Sequence, residues 1–166
     1  MNPGNIVIGN ICSLLGMVTD SVSSTRKTAK DVLLIQSVSQ LIYCIGTVVL
    51  KGYSGAVQNV VSILRNLIAI KKIENRAVEW TLVALGVALS VGFNNRGWIG
   101  CLPVIANLQY TLSVFRFKDN ERALKTSFVV CIGLFAVFNF AIYNFVGMCG
   151  NLVVLVTTLI MLFRKK

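Results

Sequence analysis

The chain has 166 residues, 55% of them hydrophobic and 13% charged, with a formal net charge of +10 and no histidine. A soluble domain carries about 25% charged residues, so this chain cannot clothe itself in a hydrated surface, and its mean hydropathy of +0.76 calls for a lipid-facing exterior. One domain of six or seven helices of ~20 residues consumes nearly the whole length and leaves no room for a soluble catalytic domain.

Each long apolar run reads as a helix, because backbone in hydrocarbon must satisfy its own hydrogen bonds. Strands are excluded, since the runs do not alternate every second residue. The first span runs from about Ile6 to Val22 and lacks the basic leader and small-residue cleavage site of a signal peptide, so it reads as a retained helix. The second runs from about Val32 to Leu50, the third from Gly55 to Ile70, and the fourth from Ala77 to Phe93, ending at Asn94-Asn95-Arg96-Gly97. The fifth runs from Trp98 to Phe115. The uncharged stretch Thr126 to Phe163 would be ~57 Å long as one helix, nearly twice the hydrocarbon core, so it must fold back once. Asn144-Phe145-Val146-Gly147 is the best place for that reversal. Trp80 and Trp98 fall at span boundaries, where amphipathic rings prefer to sit.

Basic clusters fall in every second gap. Arg26, Lys27 and Lys30 occupy the first, Lys71, Lys72 and Arg76 the third, Arg116, Lys118, Arg122 and Lys125 the fifth, and Arg164, Lys165 and Lys166 the end. The intervening gaps hold only Lys51 and Arg96. The positive-inside rule then predicts seven crossings with the amino terminus outside and the carboxyl terminus in the cytoplasm. The expected fold is all-α integral membrane, with two parallel three-helix bundles (1–76 and 98–166) joined by an inverting fourth helix (77–97). Gly55-Ala-Val-Gln-Asn59-Val-Val resembles Gly147-Met-Cys-Gly-Asn151-Leu-Val, and parallel repeats about an axis along the membrane normal are a transporter architecture. The loop-bound basic clusters suit anionic lipid heads on the cytoplasmic leaflet and do not form the contiguous face that grips nucleic acid.

Polar residues inside the spans carry the functional signal. On the third span Gln58, Ser62 and Arg65 share one face, and Asn59, Ser62 and Asn66 nearly the same one. Such a face should point into the bundle, toward protein or water. Arg65 has three readings: its guanidinium snorkels to the cytoplasmic surface, it pairs with Asp20 near the end of the first span, or it contacts a carboxylate or phosphate of a ligand. Gln36, Ser37 and Gln40 lie on the second span, Asn107, Gln109 and Tyr110 on the fifth, Asn139 and Tyr143 on the sixth, and Asn151, Thr157 and Thr158 on the seventh. These are either interhelical glue or the lining of an aqueous cavity for a small polar solute, with Asn59 and Asn151 at matching positions. The residues expected to contact a solute are Gln36, Gln58, Asn59, Ser62, Arg65, Asn66, Asn107, Asn139 and Asn151. Pro103 inside the fifth span is expected to be a kink or hinge.

No paired carboxylate, nucleophile–base pair, glycine-rich phosphate loop or HExxH occurs, so enzymatic activity is not expected. Cys12, Cys44, Cys101, Cys131 and Cys149 lie in apolar stretches without metal or redox spacing. No cofactor or metal is expected. Asp20 and Glu79 both fall near span ends, which leaves proton coupling without support.

The run Gly55-Ala-Val-Gln-Asn-Val-Val-Ser-Ile-Leu-Arg-Asn66, the run Gly97-Trp-Ile-Gly-Cys-Leu-Pro-Val-Ile-Ala106 and the Tyr143-Asn144 ending of the sixth span resemble the YgjV-type bacterial inner-membrane proteins. That family is similar to the wider PQ-loop, SWEET-like and vitamin-transporter-like group. The resemblance implies two three-helix bundles joined by an inverting helix in a bacterial cytoplasmic membrane. The chain departs from the wider group in lacking the Pro-Gln dipeptide, since Pro103 is followed by Val104, and in lacking an evident aromatic clamp, so sugar or vitamin specificity does not carry over. Two functions remain: a carrier of a small polar solute working by alternating access, or a non-transport membrane protein with a closed bundle, such as a partner subunit or an assembly or stress factor. Nothing in the sequence marks a subunit interface, and a homo-oligomer stays open.

Overall fold

The computed structural model describes residues 2–23, 26, 28–73, 75–116 and 121–163. Lys27, Lys118, Arg164, Lys165 and Lys166, part of the expected charge pattern, lie outside the described residues. The described chain is all-helical: α1 (Pro3–Ser23), α2 (Ala29–Val49), α3 (Tyr53–Ile70), α4 (Arg76–Gly92), a short 3₁₀ segment (Gly97–Cys101), α5 (Leu102–Arg116), α6 (Glu121–Ala141) and α7 (Phe145–Phe163).

Side-chain caps set several of these starts. Thr28 accepts a hydrogen bond from the Asp31 N–H and donates to the Asp31 carboxylate, which closes the first turn of α2. Asn75 accepts from the Ala77 N–H at the head of α4, and Asn144 from the Gly147 N–H at the head of α7. The reversal between α6 and α7 falls slightly ahead of the expected position, at Ile142 to Asn144, with Tyr143 taking the left-handed conformation (φ 64°). Gly147 has no room for a side chain there, because a Cβ would lie 2.5 Å from the Asn144 amide that caps the helix.

The fifth span is not one continuous α-helix. It opens as the 3₁₀ segment and becomes α5 at Leu102. Pro103 therefore sits in the first turn of α5, where its missing N–H would have had no partner anyway. Pro103 thus stands at the head of α5 and not inside one continuous span, and the change of helix type lies ahead of the proline.

Helix neighbours form a closed circuit. α1 packs on α2, α2 on α3, α3 on α5, α5 on α6, α6 on α7, and α7 back on α1. α4 lies beside this circuit, against α3, α5 and the 3₁₀ segment. α1 and α2 are antiparallel, with Gly9 on Leu50, Gly16 on Tyr43 and Gly46 on Cys12. At Gly46 an added Cβ would stand 2.8 Å from Cys12 Cβ and 3.1 Å from the Gly9 carbonyl oxygen, the close backbone approach that small residues permit between membrane helices. α7 runs parallel to α1, since Asn10 meets Val146 and Met17 meets Gly150.

The turn after α2 and the turn after α6 have the same backbone. Leu50, Lys51, Gly52 and Ala56 donate their N–H groups to the carbonyls of Gly46, Val48, Thr47 and Gly52 at 3.0, 2.9, 2.8 and 3.0 Å. Ile142, Tyr143, Asn144 and Met148 donate to Phe138, Phe140, Asn139 and Asn144 at 3.1, 3.1, 2.8 and 2.9 Å. Each residue of the second set stands 92 positions after its counterpart, and both turns place a non-glycine residue at positive φ, Lys51 at 56° and Tyr143 at 64°. The end of α3 closes with the same bonds, from Lys71, Lys72 and Ile73, and with Lys72 at 52°, so what relates the first two turns is their matched spacing and the further bond into the next helix.

The molecule is polar inside and apolar outside. Its buried residues include Ser13, Ser39, Ser54, Gln58, Ser62, Asn66, Ser90, Asn107 and Ser127, whereas Val7, Ile8, Ile11, Leu14, Leu15 and Val18 of α1 are each more than half exposed. The buried apolar cluster is small: Leu50, Phe138 and Ile142, flanked by Ile99 and Leu102. A chain folding in water would reverse this arrangement. Pro3–Val22, with mean hydropathy 1.4, is long and apolar enough by itself to cross a membrane; Leu33–Val49, Lys125–Ala141 and Phe145–Ile160 are shorter apolar stretches.

Candidate functional site

The densest buried polar network joins α3, α4 and α5, and Gln58 is its hub. Its side-chain amide donates to Ser90 Oγ at 2.8 Å and to the Gly86 carbonyl at 3.3 Å, both on α4. Its Oε1 accepts from Asn107 Nδ2 on α5 at 2.7 Å. Asn107 Nδ2 also lies 3.4 Å from the Gln58 carbonyl, and Ser90 Oγ lies 3.4 Å from the Ser54 carbonyl. One glutamine thus spends both amide protons and one oxygen on two other helices. Ser54 Oγ is buried without a hydrogen-bond partner among the described residues.

A cavity of about 20 Å³ adjoins this network, lined by Gln58, Val61, Gly86, Val104, Asn107 and Thr111 among others. About 10–15 Å³ admits one water, so the space suits a single water and not a solute.

The structure distributes the other expected residues over several places. Ser62 and Asn66 are buried on α3; Asn59 on α3 and Asn151 on α7 are half-buried. Asn59 and Asn151, expected at matching positions of one polar cavity, stand on helices that do not touch each other, and neither lines the cavity beside Gln58. The expected pair of Asp20 with Arg65 is also not formed. α1 and α3 are not neighbours, and the Asp20 carboxylate instead accepts from the Ser39 hydroxyl on α2. Arg65 is half-buried, within electrostatic reach of Tyr110 of α5 and Cys131 of α6. Asn139 accepts from Asn144 at 3.2 Å. Gln36 contributes its backbone carbonyl, which accepts from Ser39 at 2.9 Å.

Four features were not read from sequence. Ser90 and Ser54 complete the Gln58 network, and small hydroxyls in apolar runs give no signal of their own. Gln109 and Ser127 bond reciprocally between α5 and α6, at 2.9 Å to the Ser127 carbonyl and 2.8 Å from its hydroxyl. Asn10 of α1 clasps the α6–α7 turn, donating to the Tyr143 carbonyl at 2.9 Å and accepting from the Val146 N–H at 2.8 Å. Arg96 and Asn95 clasp the α2–α3 turn, with Arg96 bonding the Leu50 and Lys51 carbonyls at 2.9 and 3.2 Å and Asn95 the Lys51 carbonyl at 2.9 Å.

An apolar exterior around a hydrogen-bonded helical interior defines an α-helical membrane protein. Residues 7–166 match the Imp-YgjV family, described as bacterial inner membrane protein, and the chain belongs to that family. No curated protein and no solved structure matches it.

Proposed function

We propose that this protein carries a small polar solute across the bacterial inner membrane by rocking two three-helix units, α1–α3 and α5–α7, about α4. The single observation that carries the reading is the paired turn geometry. The α2–α3 and α6–α7 hairpins share one hydrogen-bond pattern 92 positions apart; Asn10 of the first unit clasps the second hairpin, and Asn95 and Arg96 of the connector after α4 clasp the first. The helix circuit is consistent with a twofold exchange of α1, α2 and α3 with α5, α6 and α7, the 3+1+3 arrangement of the PQ-loop and SWEET-like group. The amino terminus lies outside in this reading. The contact between halves runs through α3 and α5, where Gln58 meets Asn107 and where Arg65 stands within electrostatic reach of Tyr110 and Cys131. Among the described residues no hydrogen bond or ion pair holds the Arg65 guanidinium, so a solute with a carboxylate or phosphate group suits this position.

One observation favours the second reading, a closed bundle acting as a partner subunit or assembly factor: the cavity at the polar network has room for one water and no more. Uptake into proteoliposomes, screened over sugars, nucleosides, vitamins, small carboxylates and phosphate, decides between them. Flux of one compound that is lost in Arg65→Gln or Asn59→Leu is the expected result. Silence across the panel with folded protein overturns the carrier reading.

A further inference from the structure

Asp20 lies three residues before the end of α1, and its position along α1 alone makes it look superficial. Its neighbour across the helix pair shows otherwise. The carboxylate faces Ser39, the central residue of the 21-residue α2 (Ala29–Val49), and Ser39 is fully buried. The nearest charges on α2 are Asp31 and Lys30, which lie about 12 Å or more along the axis at 1.5 Å per residue. α2 therefore extends well past the end of α1, and the carboxyl group sits at the depth of α2's midpoint. An ionised carboxylate at that depth is expensive to hold in hydrocarbon.

The hydrogen-bond count around Ser39 supplies the second observation. Ser39 Oγ is within hydrogen-bonding distance of two acceptors, Asp20 Oδ1 and the Gln36 carbonyl at 2.9 Å. A hydroxyl has one proton to donate. Both contacts are satisfied together when a proton resides on Asp20: the carboxylic acid donates to Ser39 Oγ, and Ser39 donates to Gln36. Removing that proton turns the Ser39 hydroxyl toward the carboxylate and leaves the Gln36 carbonyl without it. The site is thus a two-position switch between α1 and α2.

We propose that Asp20 is a proton-binding position inside the membrane, with Ser39 as the relay that reports its state to α2. The groups around it suit that role. Among the described helices α1 touches α2 and α7. From α2 the ionisable side chain facing Asp20 is Tyr43, whose phenol hydrogen-bonds to the same carboxyl group and leaves the second contact, to Ser39, for the proton to decide. The described length of α7 contains one ionisable residue, the exposed Cys149, one position from the Gly150 that packs on Met17. The proposal is independent of which solute, if any, the protein carries.

The chain contains only three aspartates, Asp20, Asp31 and Asp119, which makes isotope-edited infrared spectroscopy practicable. Full-length protein with carboxyl-labelled aspartate is reconstituted in lipid near neutral pH. The expected result is a labelled carboxylic-acid C=O band that disappears in Asp20→Asn and survives in Asp31→Asn. In Ser39→Ala the band should move to higher frequency, because the acid has lost its acceptor. Should Asp20→Asn fail to fold, the Ser39→Ala shift decides alone. Absence of any aspartic-acid band, a band that survives Asp20→Asn, or a band unmoved in Ser39→Ala overturns the proposal.

Discussion

The α2–α3 and α6–α7 turns share a backbone and differ in what holds them. Both reverse the chain through a left-handed non-glycine residue, and both bury the residue before it, Leu50 and Ile142. The first is held by Arg96 and Asn95, which meet its carbonyls from a polar connector. The second is held by Asn10, a neutral amide on the third turn of α1. Asn10 borders an apolar groove of about 320 Å³ lined by Ile6, Val7, Ile11, Leu14 and Val146. Backbone geometry is therefore the constant, and the clasp is free to be charged where the surroundings are wet or a bare amide where they are oily. A hydrogen bond lost in the oily setting is not replaced by water.

Substitutions at equivalent positions sharpen that contrast. The largest effect is expected at Gly55 and its counterpart Gly147. A Cβ at Gly55 would stand 2.5 Å from the ring of Phe138, which is 1% exposed and cannot retreat. Gly55→Val should destabilise by about 3 kcal/mol, the upper range for overpacking, whereas Gly147→Val displaces the end of Asn144 and should lose about 1 kcal/mol with the cap. Unfolding of the two variants in detergent by denaturant titration checks the order; equal losses would break the comparison.

Next come the clasps. Asn10→Leu leaves the Val146 N–H and the Tyr143 carbonyl without their partner in the apolar groove, and should cost about 2 kcal/mol. Arg96→Ala should cost about 1 kcal/mol, since Asn95 and water can take over its carbonyls. The measurement is the unfolding midpoint of each variant, with hydrogen exchange at Val146 rising in Asn10→Leu alone. The smallest effect belongs to the left-handed residues themselves. Lys51→Gly removes strain and should stabilise by up to about 1 kcal/mol. Tyr143→Gly should gain less, because it also removes a ring stacked edge-on to Phe145 at 6.2 Å. Thermal unfolding of both reads the difference.

Much of this molecule is legible along the chain. Apolar runs locate all seven helices to within a few residues, because hydrocarbon leaves the backbone no alternative to internal hydrogen bonds. The Gly55–Asn59 and Gly147–Asn151 runs stand at the separation that relates the two turns. Pro103 shows the limit of local reading: a proline suggests a kink wherever a span is drawn through it, and only the 3₁₀ opening of the fifth span turns it into a first-turn residue. Asn10 gave no signal, since one amide near a helix start has no pattern to belong to.

Composition, hydropathy and helical spacing determined that the protein is helical, that it belongs in a membrane, and that Gln58 and Ser62 occupy an inward face. They left open which helix each polar group would meet. A period of 3.6 residues gives a direction around one helix and says nothing about its neighbour. The circuit of helices decided that Gln58 would bond Ser90 and Asn107, that Arg65 would stand within electrostatic reach of Tyr110, and that Asp20 would face Ser39. Asp20's depth was also a tertiary result: helices of equal length pack out of step, so a residue near the end of one lies opposite the middle of the next.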